Sequence, residues 1–330
     1  MTASLLVFVP VALLGLVAAF CFVGCAFHTH GLGQGFTTYS DNDVIGNKDC
    51  VAYWPLNDSP GQDTALDVVG KALGNPHHGT YQSAASSLPK VNGLFPCPDF
   101  DLGGGLHSDF APGNLTISAP GIVQGDTVPP HDPNNPILAN CMDVDGGFVT
   151  VDPNNVVNLT TFTVEAWVLP KDAAVPPAIR IFIDSRGIVG GVISGFALLV
   201  NAAGRWEAAF SVAGPVPTVL VTGGPASLTV ATHVVLTFDG NNAALFINGT
   251  QSSTLTSLPM GSTYTPNTTA ALVIGVGLPW LPPRMNHVGN AFFPLAPFKG
   301  KIQDVAIYSV VLDPVTIMNH AQHGQGNATG

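Results

Sequence analysis

The stretch Thr161–Pro170, TFTVEAWVLP, decides the fold. Apolar and other residues alternate through it, with β-branched and aromatic side chains and a closing proline, the pattern of a β-strand. Successive side chains on a strand point to opposite faces. Phe162, Val164, Ala166 and Val168 therefore share one apolar face, expected between two sheets. Thr163, Glu165 and Trp167 share the other, a mixed face expected to meet water or a groove. On that reading Glu165→Gln is neutral for the fold.

The same pattern recurs on the C-terminal side. CMDVDGGFVTV, IRIFIDSR, GFALLVNAAG, WEAAFSVAG, THVVLTFDG, AALFING, AALVIGVG and KIQDVAIYSVVL each run into Gly, Asp, Asn or Pro, with no helical period between them. Many short strands with short turns describe a sandwich rather than a βαβ sheet. Asn248-Gly249 lies between two such strands and supplies the two positive φ angles of a type I′ hairpin. LDPVTIMNHAQHG reads as the one helix outside the N-terminus, with Asp313 as N-cap, Pro314 first in the helix and Gly324 as its stop. ALDVVGKALGNPHHGTY carries Gly, Asn and Pro too densely for a helix and reads as loop plus a short strand. Residues 84–140 are a Pro/Gly/Asp-rich excursion in which only NLTIS, from Asn114, looks like a strand.

The chain has 330 residues, 46% hydrophobic and 9% charged, with Gly 37 and Pro 28. That suits one large all-β domain and leaves too little charge for a coiled coil or a disordered acidic chain. Acids outnumber bases 21 to 10, net −11, with no basic cluster, which excludes nucleic acid as an expected partner. Leu5–Phe27 carries no charge and is long enough to cross a bilayer as a helix. An uncleaved membrane anchor, a cleaved signal peptide and lipidation at Cys25 are the three readings of it, and each exports the remainder to the cell surface or beyond. Export permits one disulfide among Cys50, Cys97 and Cys141, in any of three pairings. The divisions expected are residues 1–27 as that segment, 28–49 as linker and lead-in, 50–323 as the sandwich and 324–330 as a tail.

VAYWPLND, HHGTY, MDVDGGFVTV, FTVEAWVLP, THVVLTFDGNNAALFING and FKGKIQDVAIYSVVLDPVTI, in that order, resemble the laminin-G-like domains of the concanavalin A-like lectin/glucanase superfamily. The resemblance covers roughly residues 39–323 and implies a two-sheet antiparallel jelly roll. It departs from the family pattern at Ala231-Thr232, where a tryptophan is usual, and at Gln303, where an acid is usual. The resemblance also implies a structural Ca²⁺ where the first and last strands meet, carried over to Asp58 and Asp304, with Asp67 as a further ligand. Calcium would take such hard oxygens at flexible geometry.

Functional expectations follow. Glycosidases need two carboxylates at the scissile bond. The glucan-cutting relatives carry Glu-x-Asp-x-x-Glu on one strand, which this chain lacks. Its two glutamates, Glu165 and Glu207, fall on different strands, so no catalytic residue is expected. As sugar contacts, Trp167 would supply an aromatic platform and Glu165 hydroxyl acceptors, with Trp206 and Trp280 further candidates. The resemblance thus implies an exported, non-catalytic recognition or adhesion module for carbohydrate or a surface glycoprotein. The alternative is a structural subunit that assembles with copies of itself. His320 and His323, three apart on the terminal helix, are expected at the surface, as are the linker histidines His28 and His30.

Overall fold

The computed structural model describes residues 38–83, 114–128, 137–153, 157–171, 179–189, 192–213, 218–267, 270–277 and 297–326. The apolar segment 1–27, Cys97 and Trp280 lie outside them. Among the described residues no helix is long and apolar enough to cross a membrane.

Two antiparallel sheets face each other. The first, of nine strands, has seven in the order Thr250–Gln251, Asn242–Ile247, Thr232–Phe238, Phe162–Pro170, Lys299–Tyr308, Cys141–Asp145, Asn114–Ala119, with Cys50–Trp54 and Thr256–Ser257 paired beside Lys299–Tyr308 and Asn242–Ile247. The second, of ten, has eight in the order Thr218–Pro225, Arg205–Ala213, Val192–Val200, Arg180–Asp184, Leu272–Ile274, Phe148–Val151, Gly79–Gln82, Thr64–Ala65, with Gly187–Val189 and Thr263–Tyr264 paired beside Val192–Val200 and Arg205–Ala213. Consecutive hairpin strands lie at one end of each sheet, and the centre of each is built from strands distant in the chain, as in a jelly roll. The opening strand Cys50–Trp54 pairs with the closing strand Lys299–Tyr308, so the two ends of the sandwich meet. A break in register between Gln303 and Ala306 interrupts the closing strand's ladder with Phe162–Pro170, and Asp304 takes φ +53 inside it.

The alternation read from Thr161–Pro170 holds on its apolar side. Phe162, Val164, Ala166 and Val168 are buried between the sheets, among Phe196, Phe210, Phe238 and Trp206. Its other side differs from the expectation. Thr163 and Glu165 are 0% exposed and Trp167 1%, because a third layer covers the outside of the nine-stranded sheet. That layer is built from Tyr39 and Val44 of the lead-in, Ile122 and Val123, and Leu312 and Ile317 of the C-terminal segment.

The hairpin at Asn248-Gly249 forms with φ +49 and +78, as its residues demand. The terminal helix is Pro314–Gly324, and the Asp313 side chain accepts from the N–H groups of Val315 and Thr316. Gly324 is the last residue of that helix for a packing reason rather than a turn. A Cβ there would run into the Trp167 ring, and the positive φ comes later, at Gly326. Two further helices were not expected: a π-helical turn Ser40–Ile45 and an α-helix Val68–Ala72. The second survives its glycine because Asp67 caps it, accepting from Gly70 N–H at 2.9 Å. A Cβ on residue 70 would collide with that carboxylate. Cys50 and Cys141 are both buried free thiols, so neither is bonded to the other.

Candidate functional site

Glu165 occupies the centre of the covered face. Its Oε1 accepts from the hydroxyls of Tyr39, at 3.1 Å, and Tyr308. Its Oε2 accepts from His233 Nε2 at 3.1 Å and His320 Nδ1 at 2.9 Å. The four partners arrive from four segments. Tyr39 precedes the Ser40–Ile45 turn, His233 lies on Thr232–Phe238, Tyr308 ends the closing strand and His320 sits on the terminal helix. Strand pairing places two of them, since Val235 and Ala306 are the cross-strand neighbours of Glu165. All five side chains are buried. The Trp167 ring stacks on His233 at 5.0 Å and meets Tyr39 edge-on at 6.1 Å, sealing the cluster.

The electrostatics follow from this packing. Burial alone pushes the Glu165 carboxyl up, but the charge of His320 and the hydrogen bonds from both histidines outweigh it, and the group is held below the usual carboxylate range. His320 answers in the opposite sense: burial pulls it down, and the Glu165 charge and hydrogen bond carry it above the ordinary histidine value. Two ring N–H groups facing one carboxylate oxygen leave His233 Nδ1 as the nitrogen without a partner. A general acid needs a raised pKa and a path to substrate. Glu165 has neither, and its four donors occupy the lone pairs that a sugar hydroxyl would need.

The other expected contacts are likewise withdrawn from solvent. Trp167 and Trp206 offer no ring face to a ligand. The first lies under the terminal helix, and the second is 0% exposed between the sheets, edge-on to Phe182 at 5.7 Å. The expectation that Trp167 and Glu165 line an open groove is therefore corrected by the layer packed over them. His320, expected at the surface, is 2% exposed. Its position was legible in part, since Ile317, His320, Ala321 and Gly324 are the buried residues of the helix and fall at i, i+3, i+4 and i+7.

The three aspartates do not converge on one cation site. Asp67 is spent on the main chain, accepting from the N–H groups of Tyr53, Gly70 and His77 at 2.9–3.0 Å. Asp58 is half-buried and accepts from Tyr81 Oη at 2.7 Å. Asp304 accepts from Tyr53 Oη at 2.6 Å, so Asp67 and Asp304 bind opposite ends of one tyrosine. Burial, then the nearby Asp126 charge, pushes the Asp304 carboxyl well up, and its Oδ2 has no hydrogen-bond partner. Among the described residues no group of three or more His, Cys, Asp or Glu could hold a metal ion. A calcium ion wanting six to eight oxygens does not fit this set.

Of the two glutamates, Glu207 is the partly exposed one. Trp206 beside it points into the core, so Glu207 points out of the ten-stranded sheet. Its Oε2 accepts from Asn201 Nδ2 and Thr222 Oγ1, each at 2.9 Å. Thr222 and Leu220 on the neighbouring edge strand are exposed. The two glutamates thus belong to different sheets.

Comparison with known proteins agrees with this architecture. A search of curated proteins gives no match. Among solved structures, a mutant of Trypanosoma rangeli sialidase displaying trans-sialidase activity superposes with a TM-score of 0.50 at 12% identity, over 88% of this chain and 36% of that one. The type C botulinum neurotoxin, whose cell entry depends on interaction with two ganglioside molecules, matches with a TM-score of 0.41 at 15% identity, over 55% of this chain and 41% of that one. The chain spans well under half the length of either. The sialidase likeness is one of fold alone. The laminin-G-type family model described as the concanavalin A-like lectin/glucanases superfamily matches residues 143–318, from the strand Cys141–Asp145 into the terminal helix and over more than half of the chain. With the two-sheet sandwich already in place over those residues, the chain belongs to the concanavalin A-like lectin/glucanases superfamily.

Proposed function

We propose that this chain is an exported, non-catalytic recognition module that binds carbohydrate or a surface glycoprotein. Membership of a superfamily of lectin-like sandwiches is the observation that carries the reading; a fold alone hosts many functions, so the site must be argued separately. The outside of the nine-stranded sheet is closed by its third layer, which leaves the outward side of the ten-stranded sheet near its Thr218–Pro225 edge. There Glu207 is held in place by Asn201 and Thr222, a carboxylate fixed in position with acceptor capacity to spare for ligand hydroxyls. Leu220 adds an apolar neighbour for the face of a ring. Hydrolysis is disfavoured because Glu165 is engaged by four donors and Glu207 has no second glutamate in its sheet. Attachment to a membrane through Leu5–Phe27 belongs to the same proposal.

The test is glycan-array binding of the full chain in detergent, with Glu207→Gln and Thr222→Ala beside it. Saturable binding weakened at least tenfold in Glu207→Gln supports the reading. Binding unchanged in both variants removes this face, and a blank array removes the lectin reading. A second reading, a structural subunit that assembles with its own copies, draws on exposed apolar side chains: Leu73, Val230, Leu255, Met260 and Val315 are each 60% exposed or more. Light scattering separates it, since a strictly monomeric protein would exclude self-assembly.

A further inference from the structure

The Glu165 cluster does more than fill space, because of which parts of the chain it joins. Tyr39 belongs to the lead-in and His320 to the terminal helix, and neither is part of either sheet. A second histidine–carboxylate pair joins the same two segments directly, His323 Nδ1 to Asp43 Oδ2 at 2.8 Å. Main-chain bonds complete the junction: Tyr39 N–H donates to Gly125 O at 3.1 Å, and Gly125 N–H donates to Gly324 O at 3.0 Å. Ser40 Oγ donates to Asp126 Oδ1 at 2.6 Å. Every histidine on the terminal helix therefore faces a carboxylate across a segment boundary.

We propose that these contacts form a pH-sensitive latch that clamps the lead-in, residues 38–46, and the terminal helix Pro314–Gly324 onto the sandwich, holding tightest in mildly acidic solution and loosening as pH rises. The groups facing His320 are Glu165 from the central strand, Asp43 from the lead-in and Asp313 from its own helix cap. Those facing Glu165 are His320, His233, Tyr39 and Tyr308, with the charge also felt at Cys50 of the opening strand and at Asp304 of the closing strand. No lysine or arginine faces the cluster in these contacts, so a protonated His320 is the cation that balances it.

The direction of the pH response follows from linkage. The folded His320 value is raised, so its contribution is complete below the unfolded histidine value of about 6.5 and is lost as pH climbs through the folded one. The folded Glu165 value is lowered, so its contribution is complete above the unfolded value of about 4.3 and is lost only in stronger acid. The latch is therefore strongest between roughly pH 4.5 and 6.5. Above that window a charge-assisted bond becomes a neutral one, and the lead-in and terminal helix, which depend on it, loosen more than the sandwich held by apolar burial.

Peptide-resolved hydrogen exchange of the full chain in detergent, at pH 5.5, 7.0 and 8.5 and corrected for intrinsic exchange rates, tests this. Protection of residues 38–46 and 314–324 is expected to fall by about tenfold from pH 5.5 to 8.5, the order of the gap between charge-assisted and neutral hydrogen bonds. Protection of the strand Arg205–Ala213, in the other sheet and without a member of the cluster, is expected to fall by much less. His320→Gln keeps a donor but cannot titrate, and should abolish the difference. A flat wild-type profile, a loss shared equally by the core strand, or an undiminished response in His320→Gln would each overturn the latch. If His320→Gln does not fold, the wild-type profile decides the matter: the tenfold fall confined to residues 38–46 and 314–324 supports the latch, and its absence overturns it.

Discussion

Replacing Glu165 by glutamine is the most informative single perturbation, because the sequence and the tertiary structure give opposite answers. Glutamine keeps one carbonyl oxygen, which can still accept from Tyr39 and Tyr308. Its amide nitrogen then faces His233 Nε2 and His320 Nδ1, so donors meet donors. The buried charge of His320 also loses its nearest partner. Breaking a buried pair by removing one member costs about 3–5 kcal/mol, most of it from the charge left behind. For a domain of this size, about 2–4 °C of melting temperature accompanies each kcal/mol, so a fall of roughly 10 °C is expected. The assay is thermal unfolding of the full chain in detergent at pH 6, followed by far-UV circular dichroism. The terminal helix should also become more accessible to protease in the variant. A melting temperature within about 2 °C of wild type would refute the reasoning, since it would mean that Glu165 is solvated.

Three further outcomes follow from the same contacts. Gly324→Ala pushes a methyl group into the Trp167 ring and should cost about 1–3 kcal/mol in urea unfolding, whereas an unchanged midpoint would show that the helix can shift away. Asp304→Asn should stabilise the protein at pH 7 by about 1–3 kcal/mol, by removing a carboxyl that burial and the nearby Asp126 charge make costly to ionise. The folded Asp304 value is raised, so the wild type loses stability as pH climbs above the unfolded value of about 3.9 and the variant does not. The gain should therefore vanish near pH 4, and a gain independent of pH would refute the assignment. Thermal melts in excess Ca²⁺ and in chelator should coincide, because Asp67 is committed to main-chain donors; a rise of several degrees with Ca²⁺ would restore a metal site.

Local chemistry made much of the fold legible. A period of two specifies a strand and its buried side, which placed Phe162, Val164, Ala166 and Val168 between the sheets. Asn248-Gly249 and Asp313-Pro314 carry their own turn and cap, whatever surrounds them. The short helix Val68–Ala72 forms against its glycine and the residues after it, because a capping carboxylate and a tight approach at Gly70 outweigh low helix propensity.

The nature of the second strand face was a different kind of question. The pattern TFTVEAWVLP determines that Thr163, Glu165 and Trp167 point the same way, and nothing within it says what lies above them. Their cover comes from Tyr39, 126 positions earlier, and His320, 155 positions later. A glutamate among solvent and a glutamate among four buried donors have the same neighbours in sequence. Alternation is a property of the backbone, so the sequence by itself settled the sandwich; burial and partner choice depend on which distant segments pack together, so only the tertiary structure turned Glu165 from a groove residue into the hub of a clasp.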